Sequence, residues 1–171
     1  EIDIIQAVGR AIRLSEGKET GTIIIPVFIA DSENADEMIR KSEFDQVWKV
    51  VNALRSHDEK LGEELDSART EKGRKQNISR RINKIEFDLP KTISESFVEA
   101  FETRLIESTT ALWNEFFGAL EIYKLKHGDC DVPMGNITND LKLGRWVQNQ
   151  RQRRNLLSRS QLTKLERIDF V

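Results

Sequence analysis

With 171 residues, a formal net charge of −2, 38% hydrophobic and 33% charged side chains, the chain is sized for one ordinary domain or two small ones with a strongly ionic surface. Its single cysteine, Cys130, excludes an internal disulfide framework and favours a reducing compartment. No stretch has the length of a membrane span and the N-terminus lacks a signal-peptide pattern, so a cytoplasmic protein without membrane contact is expected. The start at Glu1, without methionine, reads as a piece of a longer protein.

The charge is segregated. Residues 1–68 hold 8 basic and 15 acidic side chains, whereas residues 69–84 hold 7 and 1. Residues 85–141 return to 4 and 11, and residues 142–171 reverse again to 8 and 2. Two basic blocks between acidic ones point to localised anion contacts rather than a uniformly basic surface.

In chain order, residues 4–14 read as a helix with Ile4, Ile5, Val8, Ala11 and Ile12 on one side and Gln6, Arg10 and Arg13 on the other. Guanidinium groups keep their charge and offer a rigid fork of donors, which suits phosphate oxygens. Arg10 and Arg13 are neighbours on a helix, and Gly9 clears space for a close approach. After the turn at Gly17 and Gly21, the run TIIIPVFI, Thr22–Ile29, predicts a strand buried on both faces, with Pro26 marking an edge or bulge.

Apolar residues then step by three or four from Phe44 to Ala68, predicting one long amphipathic helix, with His57 and Asp58 as a polar pair on its face. Residues 69–84 have no apolar stripe and read as a basic linker. The alternation Ile85, Phe87, Leu89 predicts a short strand ended by Pro90, and Ser94–Ile106 a glutamate-rich helix.

Three short helices follow. Trp113, Phe116, Phe117, Leu120 and Tyr123 mark the first, with Gly128 and Pro133 as its breakers. Leu143, Trp146, Val147 and Gln150 share the inner face of the second. Ser158 and Gln161 form a capping box before the third. The aromatic residues at helical spacing read as core. His127 and Cys130 lack the second pair of ligands a zinc site needs, so no metal is expected.

On the outer side of the second helix, Arg145, Asn149, Gln152 and Arg153 fall at i, i+4, i+7 and i+8. Such side chains bond base edges and, for arginine, neutralise phosphates. Arg154 and Arg159 extend the stripe in sequence, with Lys164 and Arg167 added from the third helix.

Two resemblances add to this reading. QAVGRAIR followed by TGTIIIPVF resembles the last motif and closing strand of superfamily 2 (DEAD/DEAH-box-like) helicases and translocases. That resemblance implies that Arg10 and Arg13 act as arginine fingers on a γ-phosphate and that Gln6 and Gly9 line the nucleotide region. No G-x-x-x-x-G-K-[ST] occurs, so ATP, Mg2+ and their main ligands would belong to an upstream helicase core of the same protein. Residues 111–171, with Trp113, Tyr123, Gly128, Val132-Pro133, the run LGRWV, Gln150-Arg151 and a terminal Leu165, Ile168, Phe170, resemble the helicase-associated domain.

Together these imply a mainly α chain. Residues 1–30 would be the tail of a second RecA-like α/β domain, 31–110 a helical connector with the basic linker at 69–84, and 111–171 a three-helix module. The expected partner is nucleic acid, DNA in preference to RNA. A non-catalytic nucleic-acid-binding helical module, and a helical scaffold that binds protein through Phe44–Ala68, are the alternatives.

Overall fold

The computed structural model describes residues 6, 9–10, 21–29, 34–42, 44–75, 82–90 and 93–170. It is mainly helical: α1 Ala35–Lys41, α2 Asp45–Arg55, α3 Glu59–Gly73, α4 Glu95–Thr109, α5 Leu112–His127, α6 Leu143–Gln152, a 3-10 turn Arg154–Leu156, and α7 Arg159–Glu166. The chain divides into two compact units, one of Glu1–Leu65 with Ile82–Thr110, the other of Asp66–Arg81 with Ala111–Val171.

In the first unit α1 and α2 each pack against α4. Asn34 starts α1 by accepting the Asp36 and Glu37 N–H groups at 2.9 and 3.2 Å, and Ser94 starts α4 by accepting from Phe97. Phe97, Phe101, Leu105 and Ile106 supply the buried face of α4. Phe44 meets Phe101 edge-on at 4.8 Å, and Trp48 and Phe87 each approach the same ring to 5.2 Å. Each fully buried side chain of this size contributes about 1.5–3 kcal/mol.

Three sequence expectations change here. The long helix from Phe44 to Ala68 is two helices. The Asp58 side chain accepts the Leu61 N–H at 3.1 Å, starting α3 afresh, while the His57 and Asp58 N–H groups both close onto Leu54 O at 2.9 Å. The polar pair is therefore a helix break, because a short carboxylate competes for backbone donors that a continuing helix would use. Neither expected strand forms among the described residues. Ile85, Phe87 and Leu89 are half-buried while Glu86, Asp88 and Pro90 are exposed, so the alternation holds without a hydrogen-bonded neighbour. Thr22–Ile29 likewise has no ladder partner among the described residues. Ile23 and Ile25 pack against Val50 and Ala53, whereas Ile24 and Phe28 are 86% and 75% exposed. A strand is defined by its neighbour, and Pro26 further removes a donor.

The second unit closes around Phe117, Leu120, Tyr123, Leu143, Trp146, Val147, Leu165 and Phe170. The segment Asp66–Gly73 of α3 belongs to it. A Cβ at Gly118 would lie 2.0 Å from Thr70 O, and one at Gly73 would lie 1.9 Å from Glu115 O, so both glycines permit backbone approach. Glu115 pairs with Arg69 at 2.7 Å and Lys72 at 3.2 Å, and Glu121 with Arg74 at 2.8 Å. The Arg69–Glu115 contact lies outside hydrogen-bond angles, so it acts through charge. The residues read as a basic linker thus begin as helix, and much of that block's charge is neutralised inside the protein. Lys84 also pairs, with Asp58.

Candidate nucleic-acid interface

Helix α6 is held by its inner face. Leu143, Gly144, Trp146 and Val147 are buried, and Trp146 stacks on Phe116 at 5.4 Å and meets Trp113 at 5.7 Å. Gln150 accepts the Trp113 indole N–H at 3.0 Å, so a polar residue of the inner face is satisfied rather than stranded. The start of the helix is fixed by close approach. A Cβ at Gly144 would lie 1.9 Å from Pro133 O, and the Gly144 N–H reaches Asn136 O at 3.2 Å.

With that face committed, the helix turns Arg145, Gln148, Asn149 and Gln152 outward, and all four are exposed. Arg153, Arg154 and Asn155 continue the exposed surface into the 3-10 turn. The sequence-derived residues Arg145, Asn149, Gln152, Arg153 and Arg154 therefore occupy one helix face and the turn beyond it. The arginines suit anion contacts because guanidinium carries its charge throughout the accessible range.

Two basic residues of residues 142–171 are used internally. Arg151 donates to Cys130 O at 3.1 Å and Asp131 Oδ1 at 2.7 Å, with its guanidinium 5.4 Å from the Phe170 ring centroid. Lys164, which the sequence places beside the stripe, donates instead to Asn114 Oδ1 at 3.1 Å and lies 6.0 Å from the Trp113 ring centroid. Asn114 in turn donates to Asp66 at 2.9 Å. Lys142, Arg159 and Arg167 are exposed.

The aromatic residues behave as core. Tyr123 and Trp146 are buried, and Trp113 packs half-buried against them. His127 lies against Tyr123 with ring centroids 4.2 Å apart. Cys130 is buried with its Sγ 3.5 Å from Ile168 O, and burial raises its thiol pKa. Among the described residues no three His, Cys, Asp or Glu side chains are placed to hold a metal.

At the other motif, Gln6, Gly9 and Arg10 are helical, Gln6 and Arg10 are exposed, and space beside Gly9 is open. Arg13 lies outside the described residues, as does most of the helix read at residues 4–14. Sequence reasoning missed Gln148 on the outer face, although its spacing from Arg145 and Gln152 was available, and it missed the exposed Leu156. Among the described residues no helix is long and apolar enough to cross a membrane.

Residues 110–171 match the family model described as the helicase associated domain. No curated protein and no solved structure matches the chain.

Proposed function

We propose that the chain serves an ATP-dependent superfamily 2 helicase or translocase, and that its helicase-associated module binds nucleic acid through the outer face of α6. The observation that carries the reading is the division of α6. One face is fully committed to the core, while the other presents Arg145, Asn149, Gln152 and Arg153 to solvent, in a module whose family model is named for association with helicases.

Titration of the chain against short DNA and RNA at two salt concentrations tests this. Affinity falls steeply with salt, with a log–log slope of about −0.9 per phosphate neutralised on duplex DNA. Changing Arg145 and Arg153 together to alanine lowers that slope by up to about two with the fold unchanged. Absence of binding at low salt, or binding indifferent to salt and to the double change, ends the reading.

The motor half of the proposal rests on Gln6, Gly9, Arg10 and Arg13. In the complete protein Arg10 and Arg13 stabilise charge on the transferring phosphoryl group, while ATP and Mg2+ are held mainly by the upstream core. Arg10→Ala or Arg13→Ala then lowers ATP turnover by roughly 10³-fold or more with ATP binding retained. Wild-type turnover in both variants refutes the assignment. Nucleotide-dependent nucleic-acid affinity of the complete protein separates this reading from a module that binds without a motor.

A further inference from the structure

Between α6 and α7 the chain turns a leucine into solvent. Leu156 is 73% exposed at the end of the 3-10 turn, whereas the next residue, Leu157, packs against the core of the unit. Exposed Arg153, Arg154 and Asn155 precede it and exposed Arg159 follows. One apolar tip flanked in sequence by exposed arginines, in the turn that directly follows α6, matches an anionic partner that also offers an apolar surface.

The aromatic residues narrow the choice of partner. Single strands are typically held by exposed aromatic rings on which bases stack. All six Phe, Trp and Tyr residues of Ala111–Val171 are drawn inward. Phe117, Tyr123, Trp146 and Phe170 are buried, and Trp113 and Phe116 pack against them. The face thus has charge, amides and one leucine, but no stacking platform. Double helices are bound with such parts: arginines on phosphates, amides on base edges, and an apolar side chain pressed against a base step. A helix carrying Asn149 and Gln152 also needs a groove wide enough to enter, which B-form DNA provides and A-form RNA does not.

Resting on the reading that this face meets nucleic acid, we propose that its ligand is double-stranded DNA and that Leu156 is an apolar wedge seated against a base step. Arg153, Arg154 and Arg159 neutralise phosphates around it. An anionic membrane is the less favoured partner, because one leucine among exposed amides and arginines buries little apolar area.

The test uses the 171-residue chain, a short duplex carrying 2-aminopurine at a central step, the corresponding single strand, and phosphatidylserine vesicles. The duplex binds about tenfold or more tightly than the single strand, since no stacking energy supports the latter. Binding raises 2-aminopurine fluorescence as the step opens. Leu156→Ala abolishes that rise while leaving the salt slope and the circular dichroism spectrum unchanged, because the side chain has no packing role.

Equal or tighter single-strand binding overturns the proposal, as does a fluorescence rise undiminished in Leu156→Ala. Vesicle binding without duplex binding overturns it in favour of a membrane. Failure to bind any nucleic acid at low salt removes the underlying reading as well, whereas duplex binding with a Leu156-independent signal removes the wedge alone.

Discussion

In the unit containing Ala111–Val171, apolar residues from α5, α6, α7 and the terminal segment close into one core, and the charges of α3 find glutamates on α5. In the other unit, the most apolar run of the chain, Thr22–Ile29, turns Ile24 and Phe28 to solvent. The two regions do not differ in hydrophobicity so much as in what their elements require. A helix satisfies its own backbone and needs only a face to pack against, whereas a strand also needs a neighbour for its hydrogen bonds. Apolar composition alone therefore seats only part of residues 22–29, Ile23 and Ile25, against a core.

The comparison is broken most forcefully at Trp146. Its ring is buried between Phe116 and Trp113, so Trp146→Ala costs about 3–5 kcal/mol, a large share of what a small unit has. Hydrogen exchange followed by peptide mass spectrometry should show protection lost across residues 111–170 and largely kept over α4. A wild-type exchange pattern with lost nucleic-acid affinity would instead make Trp146 a surface stacking residue.

Ile24 provides the opposite extreme. Being almost fully exposed, it should tolerate Ile24→Ser with a stability change within about 0.5 kcal/mol by chemical denaturation. A loss of several kcal/mol would mean that this apolar run is buried in solution after all, and the contrast between the units would vanish.

The same contrast explains what the sequence disclosed. The three C-terminal helices were legible because their signals are local: the apolar period of α5, Gly128 in the left-handed conformation at φ 90°, and the capping box of Ser158 with Gln161. The outer stripe of α6 followed from the same periodicity, given that Trp146 and Val147 face inward. The helix break at Asp58 was hidden because the apolar spacing continues across it, although an aspartate three residues before Leu61 is a recognisable cap. The pairing of Arg69 and Arg74 with Glu115 and Glu121 was not legible, since it joins residues more than forty positions apart. Leu157 was legible as the inward leucine, being the apolar residue directly before the Ser158 cap, whereas the exposure of Leu156 is set by how the 3-10 turn leaves α6.

The finest difference between the units lies in their response to acid. In the first, Asp58 is held below the ordinary carboxylate range, chiefly by the hydrogen bond from Lys84 and then by the Leu61 N–H. In the second, Asp169 is held low by the hydrogen bond from Lys124, whose ammonium lies 2.7 Å from its carboxylate and also 2.7 Å from Ile168 O. A depressed carboxylate adds stability above its unfolded value, near about 3.9, and loses it as pH falls through the folded value. Both residues therefore contribute fully at neutral pH and steepen the loss of stability below about pH 4. Asparagine at position 58 keeps a cap for α3 but removes the charge, so Asp58→Asn should lower neutral stability modestly and flatten the acid limb of the first unit. Asp169 is fully exposed, its pair is screened by salt, and Asp169→Asn should have the smaller effect, confined to the second unit. Hydrogen exchange between pH 6 and pH 3, with the intrinsic pH dependence of exchange divided out, reads the two units separately through peptides covering residues 59–65 for the first and α7 for the second. Acid responses unchanged in both variants would show that neither pair is formed in solution, while an effect of Asp169→Asn that survives high salt would show its carboxylate to be less exposed than the structure has it.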